Sequence, residues 1–394
     1  MRALLLVLDS VGCGRAPDAA AYGDEGADTL GHIFQRYPDL ELPALFSLGL
    51  WKIMTADVFD RRSQHTVASY GRMREQSAGK DTTTGHWEIA GVIQKEPFPT
   101  FTKFPAELVG AIEKDAGVKF IGNYPQSGTA ILEELGAEHL RTGYPILYTS
   151  ADSVLQIAAH ESVLPGARLA EVCRVARRHA NGYRIGRVIA RPFAGEPGSF
   201  RRTSRRHDYS LVPPRTILNA ITDTGIPVQG VGKISDIFAG SGVRSSWPTA
   251  SNAEGMAAID QLWARQEDGF IFANLVDFDM HFGHRRDVRG YVEALVAVDA
   301  WLQEFIPTIE PDDLVIITAD HGNDPTWPGT DHTREEVPLM VIHGGLTVPL
   351  GTRKSFADVA ATLAHYFHLR TPWPVGESFI EVHQRHARSI FHRA

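Results

Sequence analysis

Two cysteines in 394 residues, Cys13 and Cys173, are too few to build a disulfide scaffold and read as reduced thiols, which suits a cytoplasmic protein. No apolar stretch approaches the roughly 20 residues that cross a bilayer as a helix, so no membrane partner is expected. Met1-Arg2 and the six apolar residues after it resemble the start of a signal peptide, but Asp9 cuts the run short of the usual apolar signal core. A basic excess is missing as well. Lys and Arg number 39 against 47 Asp and Glu, a formal charge of −8, which argues against general nucleic-acid binding and leaves any anionic substrate to local arginines and metal ions. Repeats and low-complexity tracts are absent. So is a P-loop: around Gly79-Lys80, Arg74 stands where its first glycine would be and Asp81 where Ser or Thr would follow the lysine.

What the chain does have is three apolar runs that end in acid. Ala3 to Leu8 stops at Asp9; Phe270 to Leu275 empties into Val276-Asp277-Phe278-Asp279, with His284 five residues on; Leu314 to Ile317 leads to Asp320-His321, with His332 following. Each run reads as a buried strand, and strands of an open α/β sheet present binding residues at their carboxyl ends. A lone Asp after a strand is ordinarily a helix cap or turn residue. Three such ends, two of them also bringing histidine, favour a metal site, and carboxylate and imidazole ligands without thiolates suit Mn, Zn, Fe or Mg, with enough ligands for two ions.

Two proline clusters, Pro97-Phe98-Pro99 and Pro213-Pro214, interrupt the chain and read as crossings between domains. The acid-ended strands lie outside them. Between them lie strand signals at Pro145 to Tyr148 and Arg187 to Ala190 and a helical pattern from Leu169 to His179. The expectation is a core domain in two parts, 1–96 and 214–394, interrupted by an inserted α+β domain over 97–213. The core, with helical periodicity at Tyr291 to Phe305 and Ser355 to Phe367, reads as an α/β layered fold on a mostly parallel sheet.

A nucleophile is sought in Ala78-Gly79-Lys80-Asp81-Thr82-Thr83-Thr84-Gly85-His86-Trp87-Glu88. The threonine triplet can cap a helix whose free N–H groups would hold a phosphate. Capping is one role for it; the other is a hydroxyl beside a divalent ion, whose deprotonation would make it a nucleophile.

In these segments the sequence resembles the phosphopentomutase family of the alkaline phosphatase superfamily. The likeness is carried by Val7-Leu8-Asp9-Ser10-Val11-Gly12, by Gly79-Lys80-Asp81-Thr82 with Thr84-Gly85-His86-Trp87-Glu88, and by Tyr148 to Ala158. It continues through Gly186 to Phe193, Arg206-His207-Asp208, Gly232 to Asp236, Asp277-Phe278-Asp279 with Gly283 to Asp287, and Asp320 to Glu335. It runs nearly end to end, and the motifs of the inserted segment separate this family from relatives that share only the metal ligands.

The resemblance implies an alkaline phosphatase-like core with an inserted cap, and Thr82 as the residue that carries a phosphoryl group. It implies one metal ion bound by Asp9, Asp320 and His321 and a second by Asp279, His284 and His332, with manganese as the family's metal. His281 falls at a variable position and reads as a non-ligand, and Asp277 as a supporting residue. Ser150, Asp152 and Val154 would line a sugar pocket, and Arg187, Arg202 and Lys233 would approach the substrate and its far phosphate, a role suited to arginine's planar fork. Read without the resemblance, Arg201-Arg202 and Arg205-Arg206 are equally a solvated basic loop. The implied reaction interconverts pentose 1- and 5-phosphates through a phosphothreonine enzyme and a 1,5-bisphosphate, primed by a sugar bisphosphate such as glucose 1,6-bisphosphate. A cofactor-independent phosphoglycerate mutase, a phosphatase, or a metal- or sugar-phosphate-binding protein without turnover are the other readings. Oligomeric state is left open, a monomer included.

Overall fold

The computed structural model describes residues 1–54, 65–150, 152–265 and 268–380. Ala151, within one of the family-like motifs, lies outside the described residues. Backbone contacts divide the chain into two compact units, one made of Met1–Glu96 with Pro213–Ala394 and the other of Pro97–Val212. Pro213 thus belongs with the larger unit, one residue earlier than the proline pair suggests.

The larger unit is built on an eight-stranded sheet in the order Ser245–Trp247, Val228–Val231, Gly269–Leu275, Arg2–Leu8, Leu314–Thr318, Val337–Ile342, Ser69–Met73, Pro349–Arg353. Five of its seven strand pairs are parallel; Val337–Ile342 runs against both of its neighbours. Gly269–Leu275 and Leu314–Thr318 are buried at every position and Arg2–Leu8 at all but its first residue. That is why they read as unbroken apolar runs and not as alternating ones: helices cover both faces of a parallel sheet. Leu8 pairs with Leu275 and Val7 with Thr318, so the three central strands end level with one another. The helix Val288–Phe305 begins three residues before the apolar pattern shows it, because Asp287 caps it by accepting from Gly290 N. The helix Asp358–Tyr366 starts three residues after Ser355, whose hydroxyl is engaged instead by Glu88.

The smaller unit holds a six-stranded mixed sheet: Ile121–Pro125, Ile146–Thr149, Val154–His160, Arg187–Ala194 and Arg201–Arg202, with His207–Ser210 also paired to Arg187–Ala194. Alternation along its strands sorts side chains into two cores. Leu147, Leu155, Val188 and Ala190 pack with Leu108, Ile112, Val172 and Ala176 of the helices Ala106–Ala116 and Gly166–Asn181. Ile146, Tyr148, Ala158 and Phe193 pack with Ile131 and Leu132 of Ala130–Thr142.

Candidate metal centre and nucleophile

Because the three central strands end level, the acids that follow them meet. Asp9 follows Leu8 directly, and its N–H still bonds Leu275 O at 3.2 Å. Ser10 then turns through a positive φ of 74°, a conformation rare for a residue with a side chain and typical of constrained sites. It is held there from several sides: Ser10 N donates to Asp320 Oδ1 at 3.1 Å, while Ser10 O accepts from Tyr291 Oη at 3.0 Å and from Asn323 N at 3.1 Å.

Asp279 reaches the same place by a different device. The segment Phe278–Gly283 is a π-helical turn, and His284 N bonds Asp279 O at 3.1 Å, five residues back. In an α-helix, at 3.6 residues per turn, positions five apart diverge to different faces; the wider π turn brings them together. His284 Nε2 accordingly lies 3.3 Å from Asp279 Oδ2. This gives the five-residue spacing a physical basis. His281 instead lies 4.0 Å from Asp277, and Asp277 exchanges hydrogen bonds with Asn252 at the start of the helix Asn252–Arg265.

Two groups of potential ligand atoms result: Asp9, Asp320 and His321, and Asp279, His321 and His332. His321 Nε2 lies 3.2 Å from Asp320 Oδ2 and 3.6 Å from Asp9 Oδ1, and His332 Nε2 lies 3.4 Å from Asp279 Oδ1. The rings of His321 and His332 are 4.1 Å apart and those of His284 and His332 4.8 Å apart, so all six expected ligands share one basin.

The chemistry of the basin fits cations. His321 Nδ1 donates to Gly322 O at 3.0 Å and His284 Nδ1 to Thr330 O at 2.7 Å, which turns the Nε2 lone pairs toward the carboxylates. Both carboxylate oxygens of Asp9, Asp320 Oδ2 and His332 Nε2 are buried without a hydrogen-bond partner, an arrangement that is costly unless positive charge arrives. The titration of the groups expresses the same demand. Burial, reinforced by the Asp320 carboxylate, pushes Asp9 up to about 7. Burial opposes ionisation of Asp320 and Asp279 too, but His321 and His86 at the first, and His332 and His284 at the second, outweigh it and hold both below the usual carboxylate range. Burial works against charge on His321, yet Asp320 raises it well above the ordinary imidazole value; the hydrogen bond to Asp279 raises His284. Protons and metal ions thus compete for the same positions.

Thr82 opens the helix Thr82–Ile89 beside this basin, its Oγ1 3.2 Å from His321 Nε2. The threonines do not cap that helix. Asp81 does, accepting from Thr83 N and Thr84 N at 3.1 Å each and from the Thr84 hydroxyl at 2.5 Å. A carboxylate outcompetes a hydroxyl for the first N–H groups, so those donors are not free for a phosphate, and Thr82 is the threonine turned to the basin. The approach depends on Gly85, where a Cβ would lie 2.1 Å from Asp320 O. Asp24 and Asp331 flank Lys80, at 3.0 and 3.4 Å.

Lys233 follows the strand Val228–Val231 and brings its Nζ within 3.6 Å of Asp9 Oδ2, half-buried. The remaining expected substrate residues belong to the smaller unit. Ser150 follows the strand Ile146–Thr149 and Asp152 lies two residues before Val154, whose strand pairs Val154 with Arg187. Arg187 faces Asp152 at 3.8 Å and Asp208 at 3.6 Å. Arg202 is not beside them in the backbone. It pairs with Phe193, six residues along the same strand, roughly 20 Å away at about 3.3 Å per residue, and its Nε donates to Gly128 O. The neighbouring Arg205 and Arg206 are paired with Glu161 and Asp208, as in a solvated loop.

Sequence reasoning assigned no role to several buried residues here. His86 places Nδ1 3.1 Å from Asp320 Oδ2 and 2.9 Å from Thr82 O, bridging ligand and nucleophile. Asn323 donates to Asp279 Oδ1 at 2.8 Å. Glu335 accepts from Thr29 N, Thr29 Oγ1 and Thr333 Oγ1 at 2.6 to 2.9 Å, and Arg334 is wholly buried. The consecutive Arg334-Glu335 after a metal-type histidine was the signal available, and it resembles a surface charge run.

The sequence profile of the metalloenzyme superfamily matches residues 1–371. The phosphopentomutase of Acetivibrio thermocellus is 50% identical over 384 residues, 96% of this chain and 98% of that protein. That of Caldanaerobacter subterraneus subsp. tengcongensis is 50% identical over 384 residues, with 96% and 97% covered. That of Syntrophotalea carbinolica is 51% identical over 385 residues, with the same coverage.

Proposed function

The chain belongs to the phosphopentomutase family of isomerases, within the metalloenzyme superfamily, and from that premise we propose that it interconverts ribose 1-phosphate or 2-deoxyribose 1-phosphate with the 5-phosphate. Phosphorylated Thr82 passes its phosphoryl group to the free hydroxyl of the pentose monophosphate: the Thr82 Oγ–P bond breaks, the sugar O–P bond forms, and the proton of the sugar hydroxyl is released while the threonine oxygen takes one up. The 1,5-bisphosphate reorients, returns its other phosphoryl group to Thr82, and leaves as the isomer. Asp9, Asp320 and His321 would hold one divalent ion and Asp279, His284 and His332 a second, with manganese as the metal; ions held there would supply positive charge to phosphoryl oxygens and to the threonine oxygen. Asp81 keeps the helix start in place and engages Thr84, which leaves Thr82 as the reacting hydroxyl.

In the same reading, residues 97–212 form a cap that carries Ser150, Asp152, Val154, Arg187 and Arg202 for the sugar and its far phosphate and keeps water from the phosphothreonine. Lys233 assists from the larger unit. A sugar bisphosphate such as glucose 1,6-bisphosphate primes Thr82. Buried, unlinked Cys13 and Cys173 support a cytoplasmic setting; among the described residues no helix is long and apolar enough to cross a membrane.

The observation that most supports the reading is the Thr82 hydroxyl against His321, whose imidazole faces buried carboxylate oxygens that lack hydrogen-bond partners. Manganese-loaded protein, primed and incubated with ribose 5-phosphate, is expected to yield ribose 1-phosphate with little inorganic phosphate. Inorganic phosphate as the main product would make it a phosphatase, and neither product would refute the reading.

A further inference from the structure

Arg334 is the largest wholly buried side chain among the described residues. It lies two residues after His332, and its guanidinium reaches away from its own segment. Nε and Nη2 donate to the Asp18 carboxylate at 2.9 to 3.2 Å, Nη2 also to Glu75 O at 2.7 Å, and Nη1 to Gly79 O at 2.5 Å and to Glu75 Oε2. Its backbone N–H donates to Asp24 Oδ2 at 2.9 Å, the same oxygen that holds Lys80 Nζ at 3.0 Å. The Tyr22 ring lies 4.9 Å from the guanidinium carbon.

These contacts have a direction. On one side stands the segment that carries His332; on the other, residues 75–80, which lead directly into Asp81 and Thr82. We propose that Arg334 is a positioning residue for phosphoryl transfer: its planar fork sets the place of Thr82 relative to the His332 side of the basin. This rests on the reading of Thr82 as the phosphoryl carrier. A planar guanidinium can bond two carbonyls and two carboxylates at fixed angles; an ammonium, with three donors on one atom, cannot span them. Arg334 touches no expected ligand in the contacts above, so its loss acts through geometry, and small displacements of a reacting group are expensive in rate.

The test compares Arg334→Lys with a double variant, Arg334→Met with Glu75→Gln, which removes both charges of the buried pair and so avoids an orphaned carboxylate if the single variant does not fold. Each is loaded with manganese, checked for metal content and melting temperature, and assayed for isomerisation of ribose 5-phosphate beside the unaltered protein. Two bound ions, a KM within about threefold of the parent and a kcat lower by about 10- to 100-fold are expected, because misplacement by about 1 Å costs on that order. Phosphothreonine mapping should still find the label on Thr82. A folded, metal-replete variant with kcat within about twofold of the parent overturns the proposal, as does a loss that tracks metal content alone. Failure of the parent reading is distinguishable, since the unaltered protein would then itself make no ribose 1-phosphate.

Discussion

The Asp9, Asp279 and Asp320 side chains leave neighbouring strands of the larger unit with at most 6% of their surface exposed, whereas the Asp152 and Arg187 side chains of the smaller unit keep 64% and 37% of theirs in solvent. In the first group Asp320 accepts from Ser10 N and Asp279 from the Asn323 side chain, with imidazoles 3.1 to 3.4 Å from both, while the two oxygens of Asp9 are left over. The second is tied by ion pairs of 3.6 to 3.8 Å, separations at which screened charges contribute little. Burial makes the first cluster demand positive charge whatever the substrate does; exposure would let the second, in the proposed reading, exchange one carboxylate for a phosphate at small cost. Under the proposed function this contrast corresponds to a division of labour, with chemistry in the first region and recognition of the sugar phosphate in the second.

Replacing Thr82 by Ala should break the chemistry side outright. Isomerisation should fall on the order of 10³-fold or more with the fold and metal content unchanged, as loss of a covalent nucleophile does in other enzymes. Mapping of phosphopeptides from active parent protein checks the assignment, and label on Thr83 or Thr84 would move the nucleophile.

A smaller but still large effect should follow Asp279→Asn. Metal content measured after desalting should drop from two ions toward one, and activity by more than about tenfold, because an amide oxygen carries no charge for the ion. If both ions remain, the buried carboxylates are less committed to metal than their unpaired oxygens indicate.

On the recognition side, Arg202→Ala should raise KM for ribose 5-phosphate by about tenfold and leave kcat nearly unchanged, the scale of one charge-assisted hydrogen bond at a solvated site. A fall in kcat with constant KM would erase the division between the two regions.

The smallest effect concerns stability. Burial pushes the Glu335 carboxyl up to about 7, far above its value in an unfolded chain. The folded state therefore binds this proton more tightly. Its stabilising contribution is complete below about 4.3, declines as pH rises through about 7, and amounts to a few kcal/mol at most. Urea melts of Glu335→Gln between pH 5 and 8 should show a flatter slope than the parent, and an unchanged slope would place the titration elsewhere.

Particular residues show how far the sequence could be read. Asp9, Asp320 and His321 stood out because separate apolar runs each stop in acid, a coincidence that single helix caps would not produce, and the strands Arg2–Leu8, Gly269–Leu275 and Leu314–Thr318 sit where those runs predicted. Asp81 was passed over in favour of the threonines as helix cap, since both residue types cap and only geometry ranks them. His86 carries no positional signal of its own: it matters because Gly85 lets its helix lie against Asp320. Arg202 was grouped with Arg187 from residue type and family likeness, and strand register sets them far apart in the backbone.

Sequence alone was enough for the fold class, the acid-ended strands and the family, because local periodicity and end-of-strand residue types are written in consecutive positions. Which oxygens stay unpaired, which threonine faces the histidines, why five residues separate Asp279 from His284, and what Arg334 joins were decided only in three dimensions. Each depends on level strand ends, a π turn or a burial depth created by segments up to 316 positions apart, as in the pair Arg334 and Asp18, and no local pattern encodes such meetings.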